Sequence, residues 1–168
     1  MKLMIEKTPD LQALYEKQLH LLLSAEEMTA IKYGLLVDSA TDPELHQVLE
    51  EHRIETEVHA NRLRDVLTST GSTAPLKCKV IFALFDEVED LLKGASHDAV
   101  RDALLIAAAQ RIEHYEIAAY GTVRQFARVL GRDSDAGILD QTIQEEGRAD
   151  HRLTSIAERI NPTAKKAA

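Results

Sequence analysis

The sequence predicts an all-α protein: a four-helix bundle in which one long crossover contains a short fifth helix. The composition favours helix over sheet, because Gly (7) and Pro (4) are few, Trp is absent, and Ala, Leu, Glu, Arg and Ile recur throughout. Apolar residues also recur at intervals of three and four along several long segments, which is the period of an amphipathic helix. A chain of 168 residues corresponds to about one domain.

Two long helices are predicted before residue 68. The first starts near Thr8 and ends before residues 39–43, where its apolar stripe stops. Thr41 or Asp42 can then cap a second helix over residues 44–67. Because the turn between them is short, we expect these two helices to be antiparallel neighbours.

A long connection and a second hairpin follow. The connection contains a short amphipathic helix over residues 76–93, and a third long helix then starts near residue 97 and stops at Gly131. The fourth long helix starts near Ser134 and ends at about Pro162. A connection of this length can span the whole bundle, as in the one-crossover architecture of ferritin-like folds. The sequence therefore predicts one domain over residues 1–162 and a flexible tail over residues 163–168.

Charge and cysteine content exclude several classes of partner. The formal net charge of −8 repels phosphate backbones, so we expect no binding of nucleic acid. No run of 18 apolar residues is available to span a membrane. The single Cys78 cannot form an internal disulfide, which predicts a reducing compartment and a cytoplasmic protein.

Four glutamates lie on the apolar stripes of the four long helices, where charged side chains are unusual. They are Glu26, Glu55, Glu116 and Glu146, one on each helix. Glu26 and Glu55 lie equally far along the sequence from the first predicted turn, and Glu116 and Glu146 lie equally far from Gly131. The two members of each pair are therefore expected at the same level of their hairpin. Glu116 follows Glu26 by 90 residues, and Glu146 follows Glu55 by 91 residues, as a pseudo-twofold repeat of the two halves requires. The sequence therefore predicts one layer of four carboxylates inside the bundle.

Such a layer points to a dinuclear metal centre. Buried carboxylates repel one another, so we expect cations to neutralise them. Nitrogen and further oxygen ligands are available at His52, His59 and Asp150, of which the last two share the 91-residue offset. The pattern resembles di-iron carboxylate sites, with Glu55 and Glu146 as bridges. Hard oxygen donors favour iron or manganese and leave zinc, magnesium and calcium open. The alternative is a polar core held by hydrogen bonds or water.

Some residues near this layer have two interpretations. Glu113 lies one turn before Glu116 and is either a ligand or a surface partner of Arg111. The tyrosines either donate hydrogen bonds to the layer or pack as amphipathic core residues; these are Tyr15, Tyr33, Tyr115 and Tyr120.

Several segments are similar to those of a known family. They are VRDALLIAAAQRIEHYEIAAYGT at residues 100–122, EEHRIET at 50–56 and QEEGRAD at 144–150, with shorter matches at 24–26 and 77–79. With them, most of the chain resembles the ferritin-like YciE/YciF family of bacterial stress-associated proteins. The resemblance implies a ferritin-like bundle, commonly dimeric, with metal ligands at Glu26, Glu55, Glu113, Glu116 and Glu146.

The resemblance and the internal repeat nominate different histidines. The family pattern H-x-x-E-T places His52 before Glu55, whereas the repeat favours His59, and both remain candidates. Gly147 inside the fourth helix weakens the prediction for Asp150, because Gly lowers helix stability.

Two functions are compatible with the sequence. The first is a di-iron protein that carries out oxygen or peroxide redox chemistry of the oxidase, peroxidase or ferroxidase type. The alternative is a non-enzymatic stress protein, structural or partner-binding, with a static metal or none. We expect a homodimer in either case, and the sequence predicts no particular substrate or redox partner.

Overall fold

A computed structural model describes residues 8–73 and 75–166, which contain five α-helices. The described residues contain no β-strand. The helices are α1 (Leu11–Ser39), α2 (Pro43–Thr70), α3 (Lys79–Leu92), α4 (Asp98–Val129) and α5 (Asp133–Ala164). The prediction of an all-α fold with four long helices and one short helix is confirmed.

The four long helices form two antiparallel hairpins that pack face to face. The α1–α2 hairpin lies against the α4–α5 hairpin, with α1 beside α4 and α2 beside α5. The segment from α2 to α4 returns the chain along the length of the bundle, so that α2 and α4 run parallel. Helix α3 lies in this crossover and packs against α4 and α1. The predicted crossover with its short helix is therefore present. Of the helices described, none is long and apolar enough to cross a membrane.

Capping groups set the helix starts, and two starts differ from the prediction. Helix α1 begins later than expected, because the Asp10 carboxylate accepts a hydrogen bond from the Ala13 N–H (2.8 Å) and caps the helix there. Helix α3 begins at Lys79 rather than at residue 76. The reason is that the Cys78 N–H donates to Ser24 Oγ of α1 (3.1 Å), which holds the preceding backbone extended.

The two turns between paired helices use the expected residues. Asp42 caps α2 by accepting hydrogen bonds from two backbone N–H groups, and Pro43 occupies the first helical position. Gly131 adopts a φ of 70°, and the Arg132 N–H donates to the Ala127 carbonyl (2.8 Å), which closes α4.

The end of α5 differs from the prediction. The helix continues through Pro162 to Ala164, because Pro in a last turn removes only one N–H donor, and water can hydrogen-bond the freed carbonyl at an exposed helix end. The predicted domain end at residue 162 thus lies within this last turn. The first residues of the predicted tail are helical, and residues 167 and 168 lie outside the described residues.

The apolar core consists of two clusters, one towards each end of the bundle. The first surrounds the α1–α2 turn and includes α3, with Leu36, Leu45 and Phe85 among its buried members. The second lies towards the α4–α5 turn and includes Leu19 and Leu63. Buried polar side chains occupy the layer between the two clusters.

One buried carboxylate joins the two hairpins at the end of the bundle. Asp102 of α4 accepts hydrogen bonds from the N–H (2.8 Å) and Oγ1 (2.6 Å) of Thr41 and from the N–H of Asp42 (3.0 Å). It therefore satisfies backbone donors of the α1–α2 turn that would otherwise be buried without a partner.

We expect Asp102→Ala to lower the free energy of unfolding by about 1–3 kcal/mol, because two turn N–H groups lose a charged acceptor. Chemical denaturation measures this change. The matched control is Asp65→Ala, which removes an exposed carboxylate from α2. Equal destabilisation by the two variants would contradict the role assigned to Asp102.

Candidate metal centre

Six ionisable side chains from all four long helices meet in the layer between the apolar clusters. Each is buried, with at most 4% of its surface exposed. We call them the Glu/His cluster: Glu26 on α1, His52 and His59 on α2, Glu113 and Glu116 on α4, and Glu146 on α5. They meet because each occupies a position on the buried stripe of its helix.

Glu146 lies between the two histidines. Its Oε2 is 3.4 Å from His52 Nε2, and its Oε1 is 2.8 Å from His59 Nδ1. Each of these two ring nitrogens also faces a second carboxylate: Glu113 Oε2 is 3.0 Å from His52 Nε2, and Glu26 Oε1 is 3.8 Å from His59 Nδ1. Both histidines therefore direct a ring nitrogen at a carboxylate of a neighbouring helix and at Glu146.

Most of the buried polar atoms without a hydrogen-bond partner belong to this cluster. Nine buried side-chain nitrogen and oxygen atoms in the described residues have no such partner, and eight of them are in the Glu/His cluster. They are Glu26 Oε2, His52 Nδ1 and Nε2, His59 Nδ1, Glu113 Oε2, Glu116 Oε2, and both oxygens of Glu146. Unpaired buried polar atoms are costly, so their concentration at one place makes the cluster a candidate binding site.

The donor atoms fall into groups that suit metal ions. His52, Glu113, Glu116 and Glu146 can each offer one ligand atom within 4.8 Å of the others. A second group consists of Glu26, His59 and Glu146, so the two buried groups share Glu146. Two adjacent ligand sets with one common carboxylate are the arrangement of a dinuclear site. A third group, at the edge of the bundle, combines Glu55, His59 and Glu145.

Three buried hydroxyl groups orient the carboxylates of the cluster. Tyr33 donates to Glu113 Oε1 (2.6 Å), Tyr120 donates to Glu26 Oε1 (2.5 Å), and Thr29 donates to Glu116 Oε1 (3.0 Å). In each case the other oxygen of the glutamate has no hydrogen-bond partner, although Glu113 Oε2 lies 3.0 Å from His52 Nε2. Of the two interpretations of the tyrosines, hydrogen bonding to the layer therefore holds for Tyr33 and Tyr120.

The two tyrosine contacts also show the internal symmetry. Glu26 and Tyr33 are seven residues apart on α1, as are Glu113 and Tyr120 on α4, and each tyrosine bonds the glutamate of the other helix. This reciprocity relates α1 to α4 by an offset of 87 residues. The predicted offset of 90 to 91 residues, which matched Glu26 with Glu116, is therefore wrong.

Burial decides the protonation of the carboxylates. It raises the pKa of Glu26 to about 8, and together with neighbouring carboxylates it raises the pKa values of Glu116 and Glu146 well above their usual range. Burial acts in the same direction on Glu113, but the charge of His52 outweighs it and lowers the pKa of Glu113. With no ion bound, several of these groups therefore hold protons that a metal ion would displace.

The two histidines respond in opposite directions. Burial lowers the pKa of His52, yet the Glu113 carboxylate outweighs that effect and raises it to about 10. Burial and the charge of His52 lower the pKa of His59 to about 4. His59 is thus neutral near pH 7, the form in which a histidine binds a metal ion.

Glu55 lies at the edge of the layer rather than within it. Its side chain is 39% exposed, and its Oε2 lies 3.8 Å from His52 Nδ1. The expectation that Glu55 completes a four-glutamate layer is wrong. The buried stripe of α2 passes through His52, Thr56 and His59, and Glu55 lies beside it. Its role as a ligand stays a prediction.

Asp150 also lies outside the cluster. Its side chain is 23% exposed, accepts a hydrogen bond from Gln110 (3.0 Å) and lies 3.4 Å from His114. Its predicted equivalence with His59 depended on the incorrect offset; at an offset of 87, His59 corresponds to Glu146. The assignment of Asp150 as a ligand has no geometric support here.

Two residues of this region, Thr29 and Glu145, were not predicted from the sequence. Thr29 is a common core residue and gave no signal by itself. Glu145 is buried beside His59 and paired with Arg62 of α2. The repeated spacing of Glu26 to Tyr33 and of Glu113 to Tyr120 was a usable signal, because it identifies Glu113 as an inward-facing residue.

A cleft between α2 and α5 reaches the cluster. It has a volume of about 290 Å³, and His52, Glu55 and Ala149 line it. Arg152 and Glu51 also line the cleft and form an ion pair across it (2.7 Å). The cleft therefore ends at the edge of the centre, against the buried ring of His52.

Comparisons with known proteins agree with this architecture. The family model described as "Domain of unknown function (DUF892)" matches residues 10–166. Protein YciF of Escherichia coli (strain K12) is 36% identical over 146 residues, which cover 86% of this chain and 87% of that protein.

Two solved structures have the same fold. The crystal structure of the E. coli stress protein YciF gives a TM-score of 0.88 at 30% identity, covering 92% of this chain and 99% of that one. YcfI from Rhodopseudomonas palustris, whose description proposes a structural role, gives a TM-score of 0.85 at 29% identity over 92% and 98% of the two chains.

In the presence of a chelator, we expect the free energy of unfolding to fall as the pH rises from about 7 to 9. Glu26 and His52 keep protons in the folded state that the unfolded state releases, since their pKa values rise to about 8 and about 10. A folded state that binds more protons loses stability as the pH rises, by up to about 1.4 kcal/mol per pH unit for each proton. His59 has a lowered pKa in the folded state, so it makes the free energy of unfolding increase with pH, but only below about pH 6.5.

Denaturation curves at several pH values measure this slope. We expect Glu116→Gln to reduce it, because one ionising carboxyl is removed from the cluster, whereas Glu57→Gln, at an exposed site on α2, leaves it unchanged. A stability that does not depend on pH in this interval would contradict the buried, protonated cluster.

Proposed function

The chain belongs to the DUF892 family, and we propose that it is a stress-associated protein whose bundle holds a dinuclear metal centre. The resemblance to the YciE/YciF family is confirmed by the match to YciF over most of both chains. The stress association comes from the description of YciF. The metal centre comes from the Glu/His cluster.

The observation that carries the proposal is the convergence of eight unpartnered buried atoms from six side chains. A core held by hydrogen bonds alone would pair these atoms, since native cores leave few polar groups unsatisfied. Here three hydroxyls satisfy one oxygen each of Glu26, Glu113 and Glu116 and leave the second oxygen free. Metal ions would use the free atoms.

The two buried groups suggest how the ligands divide. His52, Glu113 and Glu116 would hold one ion, Glu26 and His59 would hold the other, and Glu146 would contact both. Four carboxylates and two imidazoles match the ligand preference of iron. Metal analysis distinguishes iron from manganese, zinc, magnesium and calcium.

A pair of iron ions, when bound, would supply the oxidation-state changes needed to reduce oxygen or peroxide. The chain itself provides the surroundings for such chemistry. Tyr33 and Tyr120 fix the orientation of Glu113 and Glu26, and the two apolar clusters exclude water above and below the layer. The cleft beside His52 offers small molecules a route to the centre.

A second candidate is a structural protein in which the metal is static or absent. The structural role proposed for YcfI supports it. So does the deep burial of all six side chains, combined with the ion pair between Glu51 and Arg152 in the cleft. In that case the centre stabilises the bundle without turnover.

We expect about two iron ions per chain after anaerobic ferrous loading, measured by mass spectrometry on protein purified without a His tag. Glu146→Gln should lower uptake at both positions, because Glu146 belongs to both ligand groups. The control is Glu158→Gln, at an exposed site on the same helix, which should bind as the unmodified chain does.

The outcomes separate the candidates. Stoichiometric iron that consumes oxygen or peroxide supports the redox function, and stoichiometric metal without turnover supports the structural one. Unchanged metal content in Glu146→Gln would contradict the assigned centre. No metal uptake by the unmodified chain would contradict it as well.

We also propose a homodimer in the cytoplasm. Three large apolar residues of α1 and α2 are exposed and could form an interface: Ile31 (75%), Ile54 (52%) and Val58 (45%). The buried free Cys78 is compatible with a reducing compartment.

In gel filtration we expect the chain to elute at about twice its monomer mass, since C2 dimers are the commonest assemblies. Ile54→Glu should shift elution towards the monomer, because a buried charge destabilises an apolar interface. Val129→Glu is the matched control, since Val129 is exposed (65%) at the end of α4. Elution of the unmodified chain as a monomer, or as an assembly larger than a dimer, would contradict the dimer.

A further inference from the structure

His59 stands between two carboxylates on opposite sides of its ring. Its Nε2 lies 3.0 Å from Glu145 Oε2, and its Nδ1 lies 2.8 Å from Glu146 Oε1. The side chain is completely buried. A neutral imidazole carries one N–H, so only one of the two nitrogens can donate a hydrogen bond.

Glu145 can only accept. The Arg62 guanidinium donates to both of its oxygens, and Gln141 Nε2 donates to Oε1 (3.0 Å). The guanidinium of Arg62 faces both oxygens, and this two-bond geometry is the one in which arginine pairs with an ionised carboxylate. An ionised carboxylate has no proton to give, so the hydrogen bond to His59 requires a proton on Nε2.

The opposite face of the ring then has no proton. Nδ1 of His59 points towards Glu146 and Glu26 and has no hydrogen-bond partner. Without a cation or a shared proton, its lone pair would repel the carboxylate of Glu146. A histidine whose outer N–H is held by a carboxylate while its inner nitrogen is free is the usual form of a metal-binding histidine.

We propose that Glu145, anchored by Arg62, is a positioning residue that fixes the tautomer and ring orientation of His59, so that Nδ1 is presented to the Glu26/Glu146 side of the centre. The purpose of this arrangement depends on the proposed metal centre. The tautomer itself does not, and it can be measured without metal.

The local sequence explains how two adjacent glutamates have different roles. Successive residues on a helix point about 100° apart, so Glu146 faces the interior of the bundle and Glu145 faces its flank. His59 of the neighbouring helix lies between them. The pair at residues 145 and 146 therefore contacts one imidazole from both sides.

The competing interpretation is an outer metal ion held by Glu55, His59 and Glu145. It is less favourable, because four donors already surround the oxygens of Glu145: two from Arg62, one from Gln141 and one from His59. An ion there would have to displace the Arg62 pair and remove the proton from Nε2.

The first measurement is the tautomer of His59 in chelated protein at about pH 7.5, from the ¹⁵N chemical shifts of labelled histidine. We expect Nε2–H in the unmodified chain. In Glu145→Gln, Arg62 should retain the amide oxygen and turn the amide NH₂ towards Nε2, which favours Nδ1–H. The same variant should bind iron about 10- to 100-fold more weakly at the His59 half of the centre.

Glu158→Gln is the control for charge, and circular dichroism checks that each variant is folded. An Nδ1–H tautomer in the unmodified chain would overturn the proposal whether or not metal binds. A Glu145→Gln variant that loses only a third ion and binds the inner two normally would overturn it in favour of the outer site. If the unmodified chain has Nε2–H but takes up no metal, the role of Glu145 stands and the proposed function fails.

Discussion

The desolvation of four glutamates at the centre of the bundle is the constraint on which the rest of the structure depends. Carboxylates buried this deeply repel one another and lose their hydration, so the folded chain must supply protons, hydrogen-bond donors or cations. The raised pKa values of Glu26, Glu116 and Glu146 are one expression of this constraint. The hydroxyls of Thr29, Tyr33 and Tyr120 and the charge on His52 are the others.

The fold supplies these partners from opposite helices. Each tyrosine hydroxyl comes from the hairpin that does not carry the glutamate it contacts, so the polar layer holds the two hairpins together. At the end of the bundle, Asp102 joins the same two hairpins through the α1–α2 turn. Replacing buried charged groups by apolar residues of similar volume is often neutral or stabilising, so stability alone does not account for the polar layer.

Much of this arrangement could be predicted from the sequence, because helix periodicity shows which residues are buried. It correctly placed Glu26, Glu116 and Glu146 inside, and the two turns at Asp42 and Gly131 followed from capping chemistry. Periodicity was less useful on α2, where a polar stripe of histidines and threonine competes with Glu55 for the inner face. The contact between Arg62 and Glu145 joins residues 83 positions apart, and no local pattern encodes it.

The two faces of the centre differ in a way that bears on its function. On the α1–α4 side, Tyr33 and Tyr120 close the layer with direct hydrogen bonds to its carboxylates. On the α2–α5 side, a cleft reaches His52 past an ion pair between exposed side chains, while His59 is completely buried. An exposed ion pair contributes little stability, so breaking this one costs little free energy. A permanently structural ion needs no such route, whereas exchange of metal or entry of a small oxidant does.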